Sequence, residues 1–509
     1  MATESSRART RWWALVILTL PVVLMSVDLT VLSMAVPKLS EDLSPTGNQL
    51  LWIIDIYGVF LAGLLVLMGS IGDRIGRRKL LLIGAVAFGA TSAVAAFAPT
   101  PSVLIVARAL LGVGGATLMP STLALIRNIF SDPAERQRAI SIWAAAFAGG
   151  AGLGPVLGGF LLEHFRWGSV FLINIPIMVV LLFAGPFLLP ESKDPSPGPF
   201  APVSALLLTS GVLLTIYGLK EAGKHDWSMA SIGWMLLGLA VLSVFVARQR
   251  RMRHPLIDVS LFRSLPFTVA VCANVAGVFA LTGILYFLPQ YAQLVLAKTP
   301  LVSGLWALPI AGAAVAGAIA APNLSQRLEV GWIIGGGLLL ASGGYYVLSH
   351  IGVDDAMALA FAGGGLVGLG VGLADTLAND VIIATAPPER AGAAAGISES
   401  AYELGGAIGT AVLGSVGTSV YRAQLDAQLP EAFSPELAEA ARETLGTAVH
   451  IARELPAEDA KPFIDLANSA FVRGMHDAFV VAALVVGLAA AGAAIVLRTR
   501  IAGSRHDHP

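Results

Sequence analysis

The sequence predicts an all-α membrane protein of about fourteen transmembrane helices, and three observations carry the prediction. Of its 509 residues, 56% are hydrophobic and only 13% charged, roughly half the charged fraction of a soluble domain. The mean hydropathy is +0.77. The apolar residues fall in blocks of about 20, enough to cross a hydrocarbon core at a rise of ~1.5 Å per residue, where buried helices of soluble proteins stop at ~10–15.

The windows lie at roughly 13–36, 51–71, 80–99, 102–124, 139–162, 168–189, 202–220, 230–247, 267–289, 301–322, 331–349, 356–385, 391–420 and 476–497. The first follows Arg7, Arg9, Arg11, Trp12 and Trp13, as a secretory signal would. Its apolar stretch runs to Val36 and contains Asp28, whereas a cleaved signal has an apolar region of about 7–15 residues; it reads as a retained first span. An even count puts both termini on one side. With the N-terminus inside, inner segments hold about 21 Lys and Arg and outer segments about 10, so the positive-inside rule places both termini on the cytoplasmic side of the membrane.

Composition also excludes functions. The net charge is −1 and no basic domain exists, so nucleic acid is not expected as a partner. The single cysteine, Cys272, lies inside an apolar block and rules out an intrachain disulfide or a Cys-based metal site. No nucleotide loop, metal-ligand cluster or nucleophile motif occurs. Look-alikes such as Gly112-Val-Gly114 sit in spans without a preceding strand. An enzyme, a cofactor and a bound metal are therefore not expected.

The Pro/Gly stretch Pro190–Pro199 and the basic segment Arg248–Pro266 divide the chain. Residues 1–12 form a cytoplasmic N-terminus, 13–189 a six-helix half, 190–266 an inserted helix pair with its linkers, 267–497 a second six-helix half and 498–509 a tail. An internal repeat supports the division. Span 5 carries Gly150-Ala-Gly-Leu-Gly154-Pro155-Val-Leu-Gly158-Gly159, and span 13 carries Gly405-Gly-Ala-Ile-Gly409-Thr-Ala-Val-Leu-Gly414. Repeated bundles with a path between them are a transporter architecture. The one large hydrophilic segment, 421–475, is expected outside as a helical hairpin. Ser434-Pro435-Glu436 starts a helix, and Leu437, Ala441, Leu445 and Val449 form one apolar face at i+4 spacing.

Charges inside spans are the most informative residues, since a central Asp or Lys costs about 2.5–3.5 kcal/mol on insertion scales. They are Asp28 in span 1, Asp55 in span 2, Arg108 in span 4, Asp375 and Asp380 in span 12, and Glu399 and Glu403 in span 13. Asp28 and Arg108 lie at comparable depth, so the arginine is placed to hold or tune the acid. Glu399 and Glu403 are i,i+4 on one helix face. A buried acid without a counter-cation is most stable protonated and yields its proton when a cation arrives, the chemistry a proton/cation antiporter needs. Asp375 and Asp380 lie nearer the cytoplasmic end and are expected to be structural. Trp52 shares a face with Asp55 and offers a cation–π surface. An excess of unpaired buried acids attracts cations.

Two further motifs stand out. After span 2 the chain reads Gly69-Ser-Ile-Gly-Asp73-Arg74-Ile-Gly76-Arg77-Arg78-Lys79, where glycines allow a tight turn and Asp73 seeks a partner on a neighbouring helix or in Arg74. In span 5, Gly150, Gly154 and Gly158 form a flat packing stripe, and Pro155 permits a bend where two halves would rock.

These residues resemble the major facilitator superfamily, specifically its fourteen-helix drug:proton antiporters. The 69–79 loop resembles the cytoplasmic signature of that family, and Leu104-Ile-Val-Ala-Arg108-Ala-Leu-Leu-Gly112-Val-Gly114 its fourth-helix signature. Gly150–Gly159 is similar to the fifth-helix pattern of antiporters, and Asp28–Pro37 to the first-helix pattern of the fourteen-helix branch. Leu51–Tyr57, Met119–Arg127 and Ser398–Gly405 look like stretches of the quaternary-ammonium exporters. The resemblance implies a monomeric exporter of lipophilic cationic drugs by alternating access. Asp28 and Glu403 would carry protons, Arg108 would tune Asp28, and Asp55, Glu399 and Trp52 would attract the cation. Export of an endogenous metabolite, lipid or antibiotic, and a sensor without flux, are the competing expectations.

Overall fold

Hydrocarbon offers no partner to a backbone amide, so a chain that crosses it closes its hydrogen bonds within helices. The computed structural model describes residues 2–194, 200–225, 228–253, 255–354, 357–387, 390–429 and 434–501. Fourteen helices are long and apolar enough to span a bilayer, and among the described residues there is no β-strand. Spans 1–7 are Thr10–Leu43, Gly47–Ile75, Arg77–Ala96, Pro101–Ile129, Pro133–His164, Ser169–Leu188 and Pro202–Ala222. Spans 8–14 are Met229–Arg251, Leu265–Val295, Pro300–Ser325, Val330–Leu348, Met357–Ala384, Ala393–Gln428 and Glu458–Leu497. Each sequence window finds one helix. Linker residues 195–199 and tail residues 502–509 lie outside the described residues.

Helix starts follow local chemistry. Thr46, Thr100, Asp132, Ser228, Ser264 and Thr299 each cap a helix with a side-chain oxygen, and proline occupies the first turn of spans 4, 5 and 10, where its missing amide costs nothing. Apolar side chains such as Phe183, Phe187, Leu488 and Ile495 project outward and suit contact with acyl chains.

The packing repeats. Span 1 packs on spans 5 and 6, span 4 on spans 2 and 3, and span 3 on span 6. Span 9 packs on spans 13 and 14, span 12 on spans 10 and 11, and span 11 on span 14, the same pattern eight spans later. One apolar core is drawn from spans 1–6 and a second chiefly from spans 9–14. The glycine stripes take equivalent places. A Cβ at Gly150, Gly154 or Gly158 would strike Ser26, Thr30 or Val31 of span 1, and one at Gly405 or Gly409 would press on Val275 or Thr282 of span 9.

Between the bundles, span 2 packs on span 13 and span 5 on span 10. Spans 7 and 8 pack on each other, and span 7 lies along the seam of spans 2 and 13. There Val59, Ile216, Ala407 and Ala411 form a small apolar cluster of their own.

The hydrophilic segment departs from expectation. Span 13 continues to Gln428 and the span 14 helix begins at Ala457, so much of 421–475 belongs to those helices. Two short helices remain, Pro435–Glu443 and Leu445–Glu454. Ser434 caps the first as expected. The single apolar face over Leu437–Val449 is not formed, because Thr444 (φ −149°) breaks the helix and caps the second one. Leu437 is exposed, whereas Ala438, Ala441 and Leu445 are buried. This hairpin touches both bundles: Glu443 Oε2 accepts from Gly47 N at 2.7 Å, Arg453 pairs with Glu41, and Tyr421 Oη donates to Ala441 O at 2.9 Å.

At the same end, Gln293 Nε2 donates to Met34 O at 3.2 Å and Leu301 N to Glu163 Oε2 at 3.3 Å. The bundles are closed against each other at the hairpin end.

Candidate functional site

One stretch of span 2, Trp52–Gly58, organises the charged interior. Its residues face three ways, towards span 4, span 7 and span 13.

On the first side lies Arg108, the largest fully buried side chain. Its Nη1 donates to Asp28 Oδ2 at 2.5 Å, its Nε to Ile53 O at 3.1 Å and its Nη2 to Ile54 O at 3.4 Å. Asn174 Nδ2 reaches the other Asp28 oxygen at 3.4 Å and Ser92 Oγ at 3.0 Å. The guanidinium also lies over the Tyr57 ring, 4.8 Å from its centroid. Every charge here is answered within a low dielectric, the condition a buried pair needs to persist. Span 1 runs to Leu43, so Asp28 lies fifteen residues from its end, about 22 Å at the helical rise and deeper than the sequence windows placed it.

On the second side, Asp55 is not the unpaired acid expected. Lys220 Nζ of span 7 donates to Asp55 Oδ1 at 2.8 Å and lies 3.6 Å from the centroid of the Trp52 ring. Both charged residues are buried, at 2% and 4% exposure for Lys220 and Asp55. Sequence reasoning missed Lys220 because it closes the seventh window, where a cation reads as an interfacial anchor. The signal was its place inside the helix, which runs on to His225. Span 2 starts at Gly47, so Asp55 sits eight residues in, about 12 Å; the window had put it near the surface. The next residue, Glu221, accepts from Asn48 Nδ2 at 3.5 Å, a second tie between spans 7 and 2.

On the third side is Glu403 of span 13, buried, with Oε1 bonded to nothing among the described residues. A Cβ on Gly58 would lie 3.3 Å from Glu403 Oε2, so the missing side chain makes room for the acid against span 2. Tyr57 lies within electrostatic reach of Asp28, Glu403 and Arg108, and its hydroxyl makes no hydrogen bond to a described residue. Glu399 is half-buried and within electrostatic reach of Glu403. Tyr402, between them in sequence, meets Phe147 of span 5 edge-on at 6.3 Å, and Phe147 stacks on Trp143 at 6.5 Å. Aromatic surface therefore joins the acid pair across the seam.

Asp375 is half-buried with its carboxylate over Gly277 of span 9, where a Cβ would lie 2.0 Å from Oδ1. Asp380 is exposed.

The 69–79 motif forms a fixed turn away from these charges. Gly76 has φ +111°, which favours glycine. Asp73 pairs with Arg77, not with Arg74, whose guanidinium lies over Phe200. Glu191, after span 6, accepts from the amides of Arg78 at 3.0 Å and Lys79 at 3.3 Å, an anion on a helix N-terminus. Arg78 returns hydrogen bonds to Pro186 O and Leu189 O. A Cβ on Gly69 would make only ordinary contact, at 3.8 Å, with Pro120. The span 5 motif reaches the second bundle: a Cβ on Gly159 would be 2.5 Å from Pro300 O, and one on Gly304 2.3 Å from Pro155 O.

Repeated six-span bundles with charged side chains buried at their seam define a secondary membrane transporter. The chain belongs to the Major Facilitator Superfamily, whose sequence profile matches residues 18–410. It is 43% identical over 496 residues to the multidrug efflux pump LfrA of Mycolicibacterium smegmatis, across 97% of this chain and 98% of that protein. The methyl viologen resistance protein SmvA of Salmonella typhimurium is 35% identical over 463 residues, covering 91% and 93%. A crystal structure of a bacterial homolog to the human lysosomal transporter Spinster shares the fold with a TM-score of 0.68, at 16% identity and coverage of 97% and 98%. This chain is thus a multi-pass transporter of the bacterial inner membrane.

Proposed function

We propose that the chain is a proton-coupled antiporter that exports lipophilic organic cations, with both termini in the cytoplasm. The observation that carries the reading is Glu403: a buried carboxyl with an oxygen that has no partner among the described residues, beside Gly58 and within electrostatic reach of Tyr57, which also feels the Asp28–Arg108 pair. Such a group holds a proton when the site is empty and releases it when a positive guest supplies the missing charge. Glu399 adds a second acid on the same helix, and Tyr402, Phe147 and Trp143 supply π faces for a flat or greasy cation. Asp28 is the second proton carrier. Arg108 donates to one of its oxygens and Asn174 to the other, which fixes its orientation.

Two relatives support the reading. One is a multidrug efflux pump, and the other confers resistance to methyl viologen, an organic dication. With the termini in the cytoplasm, closure at the hairpin end shuts the path on the outer side. Rocking about the Pro155–Gly159 and Pro300–Gly304 contact would then expose the acids to the other side, where protons enter and the cation leaves. The loop at 69–79 is the cytoplasmic gate element, braced by Glu191.

The test is ethidium efflux in everted membrane vesicles energised by a proton gradient, with and without an uncoupler. The wild type accumulates dye and loses the gradient of activity when uncoupled, and an Asp28→Asn, Glu403→Gln double variant is inactive. Full transport by that double variant overturns the assignment of the proton carriers. Absence of competition by quaternary ammonium compounds overturns the substrate class.

A further inference from the structure

Trp52 and Asp55 are the parts of an ammonium site: an aromatic face for the cation and a carboxylate for its charge. The site is occupied by the protein itself. Lys220 Nζ sits 3.6 Å from the Trp52 centroid and 2.8 Å from Asp55, where an alkylammonium guest would sit. We propose that Lys220 is a tethered competitor for this site, so that an organic monocation binds at Trp52 and Asp55 only by displacing the Lys220 ammonium. The inference rests on the cation-exporter reading and adds a specificity-determining residue to it.

Three features favour displacement over a permanent clamp. First, Lys220 has a place to go. It lies five residues from the end of its helix at His225. A lysine stem so placed can carry its charge out to the interface. Second, span 7 is held to span 2 without the pair, by Asn48 and Glu221 and by the apolar cluster that Val59 and Ile216 share. Third, the exchange leaves no bare charge. Asp55 is 4% exposed, and an uncompensated carboxylate there is costly. A leaving guest is replaced by the lysine and an arriving one replaces it, so Asp55 stays neutralised throughout. The consequence is a filter: metal ions and hydrophilic ammonium ions lack the apolar surface needed to outcompete a permanently supplied cation, whereas a lipophilic one brings it.

The experiment titrates the full chain, in nanodiscs at fixed pH, with tetraphenylphosphonium by calorimetry. Removing a competitor that fills the site in about nine molecules of ten tightens the apparent Kd about tenfold, so Lys220→Gln is expected to bind about tenfold more tightly. Lys220→Arg, which keeps the charge, stays near the wild type. Asp55→Asn in the Lys220→Gln background loses the gain. A folded Lys220→Gln whose Kd lies within twofold of the wild type, or is weaker, overturns the proposal, as does equal tightening by Lys220→Arg. Acylation of Lys220 in the wild type, read by mass spectrometry, tests it without any substitution. Saturating tetraphenylphosphonium is expected to raise labelling severalfold, and unchanged or reduced labelling overturns the proposal. Failure of the wild type to bind or export the probe would instead remove the cation-exporter reading beneath it.

Discussion

The guanidinium of Arg108 joins Asp28 to the backbone of span 2, donating to the carboxylate at 2.5 Å and to the Ile53 carbonyl at 3.1 Å. One side chain thus binds spans 1, 2 and 4 around a single negative charge. Arg108→Ala leaves that charge buried and half-answered, which costs about 3–5 kcal/mol. The expected outcome is a large fall in melting temperature in detergent. An Asp28→Asn, Arg108→Met double variant removes both charges and recovers most of the stability without recovering efflux. Recovery of efflux would show that the pair is a packing device.

Glu403 sets the expected pH dependence. If binding a cation expels its proton, acid solution opposes binding: affinity rises with pH, by up to about tenfold per unit for one proton released. Glu403→Gln has no proton to lose there and flattens the slope. Calorimetry in two buffers of different ionisation enthalpy counts the released proton directly, and an unchanged count in Glu403→Gln contradicts the assignment.

The turn between spans 2 and 3 offers a stability comparison. Glu191→Ala removes an anion that caps the span 3 helix, a loss of about 1 kcal/mol. Gly76→Ala meets that carboxylate at 2.5 Å and sits at φ +111°, so it costs more, about 1–2 kcal/mol for the backbone alone. Combining the two relieves the collision and leaves the backbone penalty. Melting temperatures should rank wild type, Glu191→Ala, then Gly76→Ala.

Gly159 and Gly154 separate motion from packing. Gly159→Val collides with the Pro300 and Leu301 backbone of the other bundle and is expected to shift the population away from closure at the hairpin end. Gly154→Val collides with Thr30 and Val27 inside its own bundle and lowers stability instead. Spin labels at positions 163 and 301, in a Cys272→Ser background, read the first effect as a longer distance. Equal distances in both variants would contradict this division of labour.

The sequence made the spans legible because each is a block of apolar residues longer than any soluble core needs. The repeat was legible in the glycine stripes, since Gly150 and Gly405 meet equivalent partners. Pairings across the bundle were less so. Asp28 with Arg108 followed from depth, because both lay at a comparable distance from the outer ends of their windows. Asp55 with Lys220 did not, because helices here outrun their apolar windows: span 2 starts four residues before its window and span 7 carries its lysine at the edge. The break at Thr444 was hidden for a related reason. Regular i+4 spacing persisted across a residue whose hydroxyl prefers to start a helix rather than continue one.

The seat of span 7 along the seam has a modular consequence. Excising residues 200–251 would not yield a minimal twelve-helix carrier, because it strips the counter-ion from position 55 and uncovers Val59 and Ala411. Among descendants of a common ancestor, an acidic residue at 55 should travel with a basic residue at 220, and lineages without the pair should carry a neutral side chain there.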